Sequence, residues 1–129
     1  LRSRADGDAP YRHAIGASGE QSALEHLERH GLRLLARNVR ERGGEIDLIM
    51  LDGPALVFVE VRARAARGLV GALESVTPAK QRRIVTAARI FLGRNPQYAQ
   101  RICRFDVVAI THDDEDQTLE WARDAFEAF

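Results

Sequence analysis

Lysine is almost absent from this 129-residue chain: of 19 basic residues, Lys80 alone is lysine and the rest are arginine. Cysteine is equally scarce. Cys103 stands alone, which excludes an internal disulfide and any cysteine-based zinc motif. A reducing, cytoplasmic setting is the corresponding expectation. No apolar run approaches the roughly 20 residues that span a bilayer, and the longest strand-like run is Ala55 to Val59. The opening LRSRADGDAP has no apolar h-region, so neither a secretory signal nor membrane insertion is expected. Internal repeats and low-complexity tracts are missing as well. Net charge is zero, so no single sign of charge marks the chain for nucleic acid or for a basic partner.

The charge is unevenly spread, however. Residues 1–104 hold 18 basic against 11 acidic side chains, and residues 105–129 hold 1 against 8. The first part could attract a phosphate backbone, and the acidic end would be kept away from it. A solvated surface with a chance imbalance accounts for the same numbers. With 45% apolar and 29% charged residues, the chain has the composition of a globular protein. Its length suits one domain. We assign residues 1–10 to a flexible tail and 11–129 to a single domain.

Helical periodicity runs from about Tyr11 to His30, with Ala23, Leu24 and Leu27 on one stripe and Gly31 as a natural stop. Leu32 to Val39 reads as a first strand and Glu41-Arg42-Gly43-Gly44 as a turn. A hairpin follows, with strands at about 45–51 and 55–63. Its second strand is apolar on both faces, so it belongs in the middle of the sheet. Ala65 to Val76 reads as a long loop. Thr77-Pro78 then opens a second helix, with Thr as N-cap and Pro at the first position, and Gly93 ends it. Cys103 to Ile110 is a further strand, Asp113 to Asp116 a turn, and Thr118 to Ala122 a short edge strand. The expected fold is α/β, in the order α-β-β-β-α-β with an optional extra strand: a mixed sheet flanked by helices.

The hairpin carries an anomaly. Its apolar strands hold Asp47 and Glu60, and burying an unpaired charge is costly. With Gly53-Pro54 as the turn, Asp47 falls opposite Glu60, and Glu45 opposite Arg62. Facing residues have Cβ atoms about 5 Å apart. Two negative charges at that distance repel by roughly 3 kcal/mol at an effective dielectric near 20. Such a pair calls for a cation, a shared proton or a basic neighbour.

Glu20 extends the apolar stripe of the first helix, so it points toward the sheet, unless it sits at the stripe's edge in solvent or against an arginine. Lys80 aligns with Ile84, Ala88 and Phe91 on the second helix, one turn from a helix start that favours anions. It could equally be a lysine snorkelling at the sheet margin. Arg62 can clamp a phosphate or neutralise a carboxylate, but it cannot act as a base. Asp47, Glu60 and the Val61 carbonyl, with Glu20 and Lys80 brought from the helices, suit a hard ion such as Mg²⁺ or Mn²⁺. The implied chemistry is metal-assisted phosphodiester hydrolysis.

Other residues have plainer readings. Asp106 reads as an ion-pair partner at a sheet margin or a support for Lys80. Cys103 reads as core filler, and Trp121 and Tyr98 as packing residues. His13, His26, His30 and His112 are scattered without ligand spacing. Arg37, Arg40, Arg42, Arg64 and Arg67 could track a nucleic-acid backbone, and solvated arginines fit equally well.

The segment from GEIDLIM to VFVEVRAR, with Asp47 and Glu60-Val61-Arg62, resembles the PD-(D/E)xK nuclease superfamily. Together GGEIDLIM, FVEVRAR, TPAKQRRI and RFDVVA are similar to the YraN-type uncharacterised bacterial family, over about Ala14 to Phe126. That resemblance implies a fold like that of restriction endonucleases and Holliday-junction resolvases. It also implies that Asp47 and Glu60 are metal ligands and that Glu20 is a third acid. Arg62 departs from the superfamily pattern, where lysine is usual, and Lys80 could stand in for it. DNA, including branched or structured DNA, is the implied substrate. A nucleic-acid-binding module without catalysis is the alternative. Related resolvases act as dimers, so a homodimer is a further expectation.

Overall fold

A computed structural model describes residues 11–63, 65–113 and 116–128, with backbone alone for 11–18 and Asp113. The expected 1–10 tail, the His13 side chain, Arg64 and the tip of the acidic turn lie outside the described residues. The elements run α1 (Tyr11–Arg29), β1 (Arg33–Glu41), β2 (Gly44–Asp52), β3 (Ala55–Ala63), α2 (Gly68–Ser75), α3 (Pro78–Arg94), β4 (Ile102–Asp113) and β5 (Asp116–Phe126). The five strands lie in the order β1-β2-β3-β4-β5, and β3 is indeed central. Only the β3–β4 pairing is parallel. Its crossover carries α2 and α3, so the architecture is a mixed sheet flanked by helices, as the sequence pattern and the restriction-endonuclease-like core both require.

Alternation along the central strand divides the core into two layers. Leu56 and Phe58 face one side with Ile49, Leu51, Phe105 and the α3 residues Ile84, Val85 and Phe91. Val57 and Val59 face the other, with Leu48, Met50, Val108 and the α1 residues Ala23, Leu24 and Leu27. Each fully buried side chain of this size contributes about 1.5–3 kcal/mol. Local signals set the helix ends. Leu32 N–H reaches back to the Leu27 carbonyl past left-handed Gly31, closing α1 with a Schellman-type turn. The Thr77 hydroxyl accepts from Lys80 N–H (3.2 Å) ahead of Pro78, and α3 runs on through Gly93 to Arg94.

Two elements differ from the sequence reading. Residues 68–75, expected as loop, form α2. Its sequence GLVGALES has poor intrinsic helicity, and the helix is held by context. Glu120 on β5 accepts from Leu69 N–H (3.0 Å), and Ala72 is buried. The last strand is also far longer than Thr118–Ala122. It pairs with β4 from Asp113↔Asp116 to Phe105↔Phe126, across a bulge between Phe105 and Val107. Among the described residues no helix is long and apolar enough to cross a membrane.

Candidate functional site

The β2–β3 ladder pairs Asp52 with Ala55 and continues to Leu48↔Val59, the register set by the Gly53-Pro54 turn. At the next position the pattern changes. Asp47 Oδ2 accepts from the backbone N–H of Val61 at 2.8 Å, so a side chain takes the place of a ladder carbonyl. Asp47 and Glu60 then lie within hydrogen-bond reach of each other, so the charge of each bears on the protonation of the other. The expected Glu45–Arg62 facing pair does not follow, because the strands have parted. Glu45 instead pairs in register with Arg40 of β1. On that same hairpin Asn38 adopts a left-handed conformation (φ 52°), in the register position opposite Asp47. Ile46 joins the α3-side core with Ile49 and Leu51, although strict alternation would place it with Leu48 and Met50. The hairpin therefore twists sharply at the acid pair.

Cations come from two directions. Lys80 Nζ and Arg62 Nη1 each lie 3.6 Å from the same oxygen, Oε2 of Glu60. Arg62 is also anchored to the end of α2 by donating from Nη2 to the Ser75 carbonyl (3.2 Å), while its buried Nε has no hydrogen-bond partner. Glu60 is only 4% exposed. Burial and then repulsion from Asp47 push its carboxyl up to about 7, against the pull of Lys80 and Arg62. Asp47 is raised by burial too, opposed mainly by the Val61 N–H and Lys80. Glu20, half-buried on α1, is pushed up to about 7 by burial and by Asp47, with Arg37 and Asn38 pulling it down. Gly19 beside it packs against Ala63, where an added Cβ would come within 2.9 Å of the Ala63 Cβ. That close approach seats this turn of α1 at the end of β3.

The structure thus brings Glu20, Asp47, Glu60, Val61, Arg62 and Lys80 to one end of the sheet. Three carboxyls raised together are the signature of like charges crowded where water is scarce. Among the described residues no three acidic, histidine or cysteine side chains are already gathered as a metal cage. The donor chemistry nevertheless fits a hard divalent ion. Mg²⁺ is commonly held by one or two carboxylates, with waters and substrate phosphate completing its shell.

Glu45 is a member that the hairpin register misassigned, since its charge acts on both Asp47 and Glu20. Its i, i+2 spacing from Asp47 was the available signal. Asn38, which also bears on Glu20, carried no such signal.

Other candidates find structural places. Asp106 is fully buried rather than marginal. It accepts from Arg104 Nε (3.0 Å) and Nη2 (3.2 Å), Trp121 Nε1 (2.9 Å) and Asp124 N–H (2.9 Å), which leaves nothing to support Lys80. Cys103 is exposed, not core filler, because it sits at the start of β4 on the lip of a cleft shared with Arg89 and Phe126. His26 and His30 are not scattered. With His26 in the last turn of α1 and His30 just past its end, their rings lie 4.4 Å apart, both edge-on to Trp121, whose ring also carries the Arg123 guanidinium at 4.1 Å. Tyr98 stacks on Phe91.

A family model described as "Uncharacterised protein family UPF0102" matches residues 19–110, a span that contains all the residues of the cluster. A UPF0102 protein of Pseudomonas entomophila (strain L48) is 51% identical over 113 residues, covering 87% of this chain and 92% of the relative. One from Cupriavidus taiwanensis is 51% identical over 130 residues, covering 99% and 94%. One from Ralstonia pickettii (strain 12J) is 51% identical over 121 residues, covering 91% and 93%. These matches agree with the YraN-type resemblance drawn from the four motifs.

Proposed function

This chain belongs to the uncharacterised protein family UPF0102, and we propose that it is a metal-dependent endonuclease hydrolysing DNA phosphodiester bonds. One observation carries the reading: a buried, adjacent carboxyl pair, Asp47 and Glu60, lies where the β2–β3 ladder opens, with Lys80 and Arg62 both 3.6 Å from Glu60. Asp47, Glu60 and the Val61 carbonyl, with Glu20 behind them, are the oxygen donors for Mg²⁺ or Mn²⁺. Such an ion, when bound, draws charge from the phosphate and makes an attacking water easier to deprotonate. Lys80 places an ammonium beside the reacting phosphate at the start of α3. Arg62 holds charge there but, as a guanidinium, takes no proton. Branched or structured DNA, a homodimeric enzyme and a cytoplasmic setting belong to the same proposal.

A second reading, a nucleic-acid-binding module that keeps the fold without turnover, is favoured by a different observation. Arg62 stands where the superfamily pattern has lysine, and Arg62 and Lys80 are already committed to one Glu60 oxygen.

Labelled linear duplex, single-stranded and four-way-junction DNA would be incubated with the protein in Mg²⁺, Mn²⁺ or EDTA. Metal-dependent cleavage is expected, lost on the order of 100-fold or more in Asp47→Asn and Glu60→Gln. Lys80→Ala should lose turnover but keep metal-induced stabilisation. Metal-independent binding without cleavage on every substrate would sink the enzyme and support the binding module. Cleavage that survives both carboxylate substitutions would place the site elsewhere.

A further inference from the structure

Beside the acid pair, a polar cleft of about 390 Å³ opens between the β1–β2 hairpin and α3, lined by Arg40, Glu41, Gly44, Glu45, Lys80 and Arg83. It runs directly into the candidate site, because Lys80 belongs to both. Two of its charges are already answered. Glu41 is held by Arg94 Nη1 through both carboxylate oxygens (2.7 and 2.9 Å), and Lys80 faces Glu60. Glu45 also lines the cleft, in the register position facing Arg40, and its charge raises Asp47 and Glu20. Arg40 and Arg83 have no ion-pair or hydrogen-bond partner among the described residues, and both are exposed. The cleft also has fixed walls. Gly44 lies so close to α3 that an added Cβ would run into the Arg83 carbonyl, and Gly43 before it turns the chain with a left-handed φ of 91°. The Glu41–Arg94 pair ties the hairpin to the other end of α3. Two guanidinium forks on opposing, rigidly spaced walls suit an oxyanion with several acceptor oxygens.

We propose that this cleft is a phosphate subsite, in which Arg40 and Arg83 hold the backbone phosphate next to the one presented to Asp47 and Glu60. The proposal rests on the nuclease reading and narrows it. The substrate must carry a second phosphate beside the scissile one, so it is a polynucleotide rather than a lone phosphodiester or a mononucleotide.

The test compares wild type, Arg40→Gln/Arg83→Gln and a charge-matched control, Arg29→Gln/Arg33→Gln, at the opposite end of β1 from Arg40. Binding of a fluorescent DNA duplex is followed by anisotropy in EDTA between 50 and 200 mM salt. The cleft variant should bind roughly tenfold more weakly, as expected for lost charge-assisted hydrogen bonds, and its log–log salt slope should fall by about 1–2. The control should stay within about twofold. In Mg²⁺, hydrolysis of bis(p-nitrophenyl) phosphate, which has one phosphate only, should be equal in all three proteins. Equal DNA binding by the cleft variant and wild type would overturn the subsite while leaving the nuclease reading intact. An equal loss on the single-phosphate ester would also overturn it, since the arginines would then act at the scissile group. No DNA binding or cleavage by wild type would bring down the nuclease reading, and the subsite with it.

Discussion

Replacing Glu60 with Gln should make the protein more stable above neutral pH, and the size of the gain follows from the site. An unfolded glutamate loses its proton near 4.5, whereas folded Glu60 holds it up to about 7. Between those values the native state binds more protons than the unfolded one, so stability falls as pH rises and the full penalty is present above about 7. At 1.36 kcal/mol per pH unit the penalty reaches about 3 kcal/mol. The side chain is only 5% exposed, so solvent screening removes little of it. Part of that penalty belongs to the repulsion from Asp47, and Gln deprives Lys80 and Arg62 of their counter-charge, which brings the net gain to about 1–2 kcal/mol. For a chain of this length that raises Tm by about 3–8 °C. Thermal melts of wild type and Glu60→Gln, in EDTA at pH 8 and pH 4.5, read the effect. The gain should be clear at pH 8 and shrink below about 0.5 kcal/mol at pH 4.5, where folded Glu60 is protonated and the unfolded glutamate is about half so. A variant less stable than wild type by the same amount at both pH values would refute the reasoning. It would mean that the Lys80–Glu60–Arg62 contacts stabilise the fold outright.

Two further predictions concern the scaffold. Asp106→Ala strands the Trp121 Nε1–H and the Asp124 N–H and leaves Arg104 with Asp52 alone, so it should cost about 3–5 kcal/mol in urea melts followed by the single tryptophan. An unchanged midpoint would show that these groups find other partners. Gly44→Ala drives a Cβ into the Arg83 carbonyl and should cost about 1–3 kcal/mol by lifting the hairpin from α3. Wild-type stability together with wild-type DNA affinity would show that the cleft wall is pliable.

The legible parts of this fold are those whose signals are local. Thr77-Pro78 specifies the start of α3 by chemistry that needs no neighbour, and Gly53-Pro54 fixes the hairpin register. The carboxylates on apolar strands were visible for the same reason, since Asp47 and Glu60 contradict their own surroundings. What escaped the sequence depends on contacts made across the chain. The helix α2 is closed at its start by Glu120, which lies 51 residues away. Asp106 reads as a margin residue until Trp121 and Asp124 arrive from β5 to satisfy it. The parting of β2 from β3 at Asp47 depends on one side chain outcompeting a backbone carbonyl for Val61 N–H, and no residue pattern announces that choice. Glu45 was misassigned for that reason alone.

The outer strands bear on how this molecule meets copies of itself. A sheet edge with free N–H and C=O groups invites another strand to pair with it. Here β1, at one edge, is broken by a register shift between Leu34 and Ala36 and by left-handed Asn38, and it carries Arg33, Arg37 and Arg40. At the other edge, β5 is shifted against β4 between Phe105 and Val107 and is turned by left-handed Asp124. Both borders are thus blunted against sheet extension, protecting the molecule from edge-to-edge aggregation.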